Sequence, residues 1–201
     1  MTSTLQRTLS DADYVRAAKE LGVEVAAIRA VAEVEAAGAG FLPDGRPAVL
    51  YEAHIFHKHT KGAHAHGKDR RGVALSSAKW DRSLYGASGA HQHDRLDDAA
   101  KLDDVAARKA CSWGAFQILG ENYEAAGCST IDEFVDKMHS GAPAHLDAFV
   151  AFIKTNKLDG ALRAKNWAAF ARGYNGPGYA QNAYDKKMAK AYARWKAKGN
   201  G

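Results

Sequence analysis

Val25-Ala26-Ala27-Ile28-Arg29-Ala30-Val31-Ala32-Glu33-Val34-Glu35-Ala36 is the stretch on which the fold turns. Ile28, Val31 and Val34 recur at the 3.6-residue period of one helix face, so a helix is predicted over residues 25–36, with Gly38 and Gly40 ending it. Arg29 and Glu33 lie four apart on the polar side and are expected to form a solvated pair. Glu35 breaks the pattern: it stands four after Val31 and seven after Ile28, on the apolar face. A carboxylate there is paired, kept partly protonated, or snorkels to water from the edge of the stripe. An apolar setting raises a carboxyl pKa, which is what a general acid working near neutral pH needs. The electronegative end of a helix pushes the same way. Periodicity alone does not choose among these readings.

Helical signals continue on either side. Ser10 with Asp13 caps a first helix whose stripe is Tyr14, Ala17, Ala18 and Leu21, and Gly22 supplies the left-handed stop. Residues 95–109 read as helix, and residues 112–120 as a glycine-punctuated turn leading into a short helix closed by Gly127. Thr130 and Glu133 form a capping box, and a helix after Pro143 turns Leu146, Phe149, Val150 and Ile153 to one side. Asn166 caps a helix holding Trp167 and Phe170. The last helix repeats Tyr184, Met188, Tyr192 and Trp195. Residues 61–93 are the irregular part, rich in glycine, serine and basic residues. No set of strands large enough for a sheet and no internal repeat is evident, so the class is mainly α.

The 201 residues, 46% hydrophobic and 25% charged, describe an ordinary globular chain and exclude disorder. The net charge of +5 favours an anionic partner, but the cations are dispersed, densest at Arg70–Arg71 and Lys186–Lys187. A dedicated nucleic-acid stripe is therefore not expected. No segment approaches the ~20 apolar residues of a membrane span, and Met1 to Arg16 lacks the apolar core of a secretory signal. Cys111 and Cys128 make no disulfide framework and no zinc knuckle; buried small hydrophobes are the plain reading, and whether they pair is left open. Seven histidines fall between His54 and His93 at spacings compatible with ligation, yet no Cys or His-Glu-x-x-His pattern joins them. A solvated, partly cationic loop is expected rather than a metal site.

Four blocks carry a family resemblance. Val34-Glu35-Ala36-Ala37-Gly38-Ala39-Gly40-Phe41 resembles the helix-end glutamate motif of goose-type lysozymes and soluble lytic transglycosylases. Ser112-Trp113-Gly114-Ala115-Phe116-Gln117-Ile118 is similar to the segment that lines the glycan cleft in that superfamily, and Tyr174-Asn175-Gly176-Pro177-Gly178 to its Tyr-Asn-Gly turn. Gly45-Arg46-Pro47-Ala48-Val49-Leu50-Tyr51-Glu52-Ala53-His54-Ile55-Phe56 resembles the N-acetylmuramidase family found in endolysins of phages infecting Gram-negative bacteria. The chain departs from the family's commonest pattern at Ala53, where Arg often follows the glutamate.

The resemblance implies a lysozyme-like helical fold with a cleft between a larger and a smaller lobe. It also implies hydrolysis of the β-1,4 bond after N-acetylmuramic acid in peptidoglycan, with no metal or organic cofactor. Glycosidic cleavage needs a proton for the leaving oxygen while positive charge develops on the sugar. Glu35 is the expected acid. Glu52 is the second carboxylate: it holds water, stabilises the charged ring, or anchors its helix, with Asp94 and Asp97 as weaker alternatives. Gln117, Tyr174 and Asn175 are expected at the substrate, since amides donate and accept without adding charge. Loop hydrogen bonding is the plain alternative for the amides, and core packing for Tyr174. The chain is expected to be one domain, 1–201, without a wall-binding module. It is expected to act as a monomer, made in a host cytoplasm and working on periplasmic peptidoglycan after release. A lytic transglycosylase giving 1,6-anhydro ends, and a non-catalytic wall-binding protein on the same scaffold, are the rival readings.

Overall fold

The computed structural model describes residues 5–36 and 40–199. In chain order the elements are α1 (Asp11–Leu21), α2 (Val25–Glu35), β1 (Val49–Tyr51), α3 (Ala53–His59), α4 (Ala90–Ala100), α5 (Asp104–Lys109), β2 (Cys111–Trp113), β3 (Ile118–Leu119), α6 (Ile131–His139), α7 (Ala142–Thr155), α8 (Asp159–Arg163), α9 (Trp167–Asn175) and α10 (Tyr184–Ala197). The fold is mainly helical, as the periodicity predicts. The chain divides into two compact units, one from Met1–Ala39, Ala125–Gly127 and Gly141–Gly201, the other from Gly40–Glu124 and Cys128–Ser140.

The first unit is built from α1, α2 and α7 to α10. Its helix starts are written in the sequence. The Ser10 side chain accepts from the Asp13 N–H while Asp13 returns the bond to the Ser10 N–H, and Gly22 ends α1 at φ 65°. Asn166 caps α9 through the Ala169 N–H. Leu146, Phe149, Val150 and Ile153 of α7 are buried as expected. Helix α2 is covered almost all round: every residue from Ala26 to Ala32 is buried, the alanines letting α1 and α10 pack close. That coverage overturns the solvated Arg29–Glu33 pair. Arg29 is buried, bonded to Asp11 at 2.6 Å and held between the Tyr14 and Trp195 rings. Glu33 is taken by Arg194 and by the Trp195 indole N–H. The stop expected at Gly38 lies outside the described residues.

The second unit contains a small antiparallel sheet that the sequence reading does not anticipate. Strand β1 pairs with β2 (Val49↔Trp113, Tyr51↔Cys111), and β2 with β3 (Trp113↔Ile118). Strands of two or three residues are too short to display period-2 alternation. The turn expected over 112–120 is thus a hairpin, with Gly114 at φ 71° and Gln117 at φ 49° in its turn, and the short helix expected after it is a single 3-10 turn, Gly120–Asn122. Helix α4 begins at Ala90 rather than 95 and is separated from α5, whose N–H of Ala106 is capped by Asp103. Thr130 caps α6, but Glu133 reaches back to the Ser129 N–H.

Residues 61–89 are irregular yet pinned. Asp69 and Arg95, both fully buried, meet at 2.6 Å. Asp69 also accepts from the Arg71 and Val73 N–H groups, and Arg95 donates to the Ala74 carbonyl. Three of the seven histidines depart from the expected solvated loop, while His66 is exposed as expected. His57 bonds Ser76, His59 bonds Glu121, and buried His93 bonds the Pro47 carbonyl. Cys111 and Cys128 are buried free thiols.

Candidate active site

Glu35 closes α2 in a half-buried position, and no basic residue in that last turn offsets the electronegative helix end. Burial is the main influence on its carboxyl and pushes the pKa up to about 7; a hydrogen bond from Asn175 Nδ2 to Oε1, at 2.8 Å, works weakly against it. Glu35 is therefore about half protonated at pH 7, and among the described residues no cationic side chain contributes to its shift. Asn175 is the last residue of α9. Its neighbour Tyr174 sits in an aromatic cage, edge-on to Phe149 and Phe152 (centroids 5.2 and 5.7 Å) and stacked on Phe170 (5.8 Å). Burial first, and the nearby Glu35 charge second, raise the Tyr174 phenol well above its usual range. Tyr184, read in the sequence only as part of a helix stripe, also feels the Glu35 charge.

The second unit carries Glu52, which precedes α3 and whose N–H bonds the Ala110 carbonyl. The Tyr85 hydroxyl approaches both carboxylate oxygens, at 2.8 and 3.0 Å. His54 Nδ1 lies 3.4 Å away. Burial raises the Glu52 pKa, while the Tyr85 hydrogen bond and the His54 charge oppose it. Tyr85 itself is pushed up to about 12, chiefly by burial, so it stays a neutral donor. Sequence reasoning missed Tyr85. Its only signal is an aromatic residue within an otherwise glycine-, serine- and base-rich loop.

The remaining expected residues separate by unit. Glu35, Tyr174 and Asn175 share the first, and there Asn175 donates to the Glu35 carboxyl. Gln117, in the second with Glu52, is exposed in the β2–β3 turn, its amide nitrogen donating to the Gly114 carbonyl at 2.8 Å. Asp94 is held by Arg70 and Arg71, which occupies it as a carboxylate. Among the described residues no group of three or more His, Cys, Asp or Glu side chains is placed to hold a metal ion.

The family described as N-acetylmuramidase matches residues 24–196. The chain belongs to that family. The muramidase is a lysozyme-type glycoside hydrolase. It is similar to a solved structure, the crystal structure of Burkholderia AP3 phage endolysin, at 43% identity and a TM-score of 0.86, over 96% of this chain and 72% of that one. No curated protein matches it. Among its described residues no helix is long and apolar enough to cross a membrane.

Proposed function

We propose that the muramidase is an endolysin that hydrolyses the β-1,4 bond between N-acetylmuramic acid and N-acetylglucosamine, with Glu35 as general acid. The observation that carries the proposal is the half-buried Glu35 carboxyl, raised to about 7 and held by an uncharged amide. A protonated carboxyl at a helix end can deliver its proton to the glycosidic oxygen as the C1–O bond breaks. Water then adds to C1, and its proton passes to a carboxylate. Glu52 is the candidate to face the positive charge on the ring, since Tyr85 orients both its oxygens. Asn175 orients the acid. Tyr174 shapes its surroundings as packing, and Gln117 offers its exposed amide to sugar N-acetyl or hydroxyl groups.

Glycan strands, rather than nucleic acid, are the partner that fits the charge. Arg70 and Arg71, half of what looked densest in the sequence, are neutralised by Asp94 and Asp98. The enzyme acts as a monomer on the peptidoglycan layer. The test is Glu35→Gln, which keeps the shape and removes the transferable proton. Turnover of purified peptidoglycan is expected to fall by at least a hundred-fold, in line with the loss of general acid catalysis. Activity within a few-fold of wild type would reject the assignment. Mass spectrometry of the wild-type products is expected to give reducing ends; 1,6-anhydro ends would make the enzyme a lytic transglycosylase.

A further inference from the structure

Trp80 stands out on the second unit because the residue is 59% exposed, yet it is held in place. Its indole N–H donates to the Tyr85 hydroxyl at 2.9 Å, and the two rings meet edge to face at 6.4 Å. The same hydroxyl bonds both oxygens of Glu52. The loop beneath is anchored from the core. Buried Gln92 donates to the carbonyls of Tyr85 and Ala87 at 2.6 and 2.7 Å, and accepts from the Tyr51 N–H of β1 at 3.0 Å. Asp81 closes the turn at the other end through the Ser83 N–H and hydroxyl. An indole left in water forgoes the stabilisation that burial gives a large aromatic side chain. Held by a hydrogen bond, it loses little further freedom when a flat apolar ligand covers it.

We propose that Trp80 is a stacking platform for a pyranose ring, an N-acetylhexosamine of the glycan strand, and that Tyr85 is the positioning residue that fixes this platform to Glu52. A sugar ring presents an apolar C–H face to an aromatic plane and polar edges to its surroundings. The indole supplies the plane. The carboxylate tied to it through Tyr85 places the bound ring beside the group assigned to the developing positive charge. The inference rests on the muramidase reading above and adds a subsite to it.

The test separates binding from turnover. Trp80→Ala is expected to raise KM for purified peptidoglycan roughly ten-fold, as the loss of an aromatic contact worth about a factor of ten would do. The change should fall in KM far more than in kcat, and Trp80→Phe should recover most of it. Binding is read independently in the Glu35→Gln background, by co-sedimentation with insoluble peptidoglycan and by quenching of tryptophan fluorescence with tri-N-acetylchitotriose. Trp80→Ala added to that background should weaken the sedimentation and abolish the quench. Tyr85→Phe removes the hydrogen bond that lowers the Glu52 pKa, so the acidic limb of the kcat/KM profile should move to higher pH. Unchanged sedimentation and quench in Trp80→Ala overturn the platform, and an unmoved limb in Tyr85→Phe overturns the positioning role. If Glu35→Gln stays active while Trp80→Ala loses binding, the assignment of the acid fails and the subsite stands.

Discussion

With its carboxyl pushed up to about 7, Glu35 keeps its proton in the folded chain at pH values where an unfolded chain has lost it, because free glutamate titrates near 4.3. The folded state therefore binds more protons than the unfolded state between about pH 4.3 and 7. Stability from this group falls as pH rises through that window and is level above it. The difference is on the order of 4 kcal/mol, at 1.36 kcal/mol for each pH unit. Glu35→Gln should match wild type in urea denaturation at pH 4 and exceed it at pH 8 by up to about that amount; a gap independent of pH would contradict the burial argument. The alkaline limb of kcat/KM, which reports the free enzyme, should lie near 7. Asn175→Ala removes the hydrogen bond that lowers the Glu35 pKa, so that limb should shift to higher pH, which a pH–rate profile measures. At this scale the sequence spoke through period: Glu35 on an apolar face is visible from Ile28 and Val31. Asn175 as its partner was not, since the bond joins residues 140 apart and no local pattern encodes it. Arg29 misled for the same reason, its partners lying on α1 and α10.

Among the elements, a chemical start signal marks where α1, α6 and α9 open, on Ser10, Thr130 and Asn166, each bonded to an N–H three residues on, whereas α2, α7 and α10 lack a side-chain cap and are legible from their apolar period. Helix α4 was read five residues late because it opens on Gly89, which offers no side-chain cap. Its buried face also includes Gln92, His93, Arg95 and Asp98, polar residues that hide the apolar period. Gln92, Arg95 and Asp98 serve the preceding loop, and His93 bonds the Pro47 carbonyl. Asp69 is fully buried with Arg95, and removing one partner of a buried pair strands the other charge at a cost of about 3–5 kcal/mol. Asp69→Ala should therefore destabilise the protein by roughly that amount in chemical denaturation. The double replacement Asp69→Ala with Arg95→Met should recover part of the loss, because no lone charge remains. Equal losses for the single and double variants would show that the Asp69 bonds to the Arg71 and Val73 N–H groups carry the whole effect.

For the whole molecule the net charge of +5 acts at a distance, on a substrate that carries many carboxylates. Lys186, Lys187 and Lys190 of α10 are exposed and contribute to that field. Screening shortens its reach from about 8 Å at physiological salt to about 3 Å at 1 M. Association with purified peptidoglycan should slow as salt rises, while the rate at saturating substrate changes little. A fall in the saturated rate with unchanged binding would place the effect at the catalytic residues instead. The order in which the chain is made bears on when this enzyme becomes active. The second unit is complete once residue 140 has been added, whereas the first waits for Gly141–Gly201. Glu35 is synthesised early, but Asn175 comes 140 residues later, roughly 7–28 s at ordinary rates of translation. Until then the glutamate lacks α9 and α10, stays in water, and has the acidity of any free side chain. Glu35 therefore acquires its Asn175 bond and its raised pKa only after the last helices have been translated.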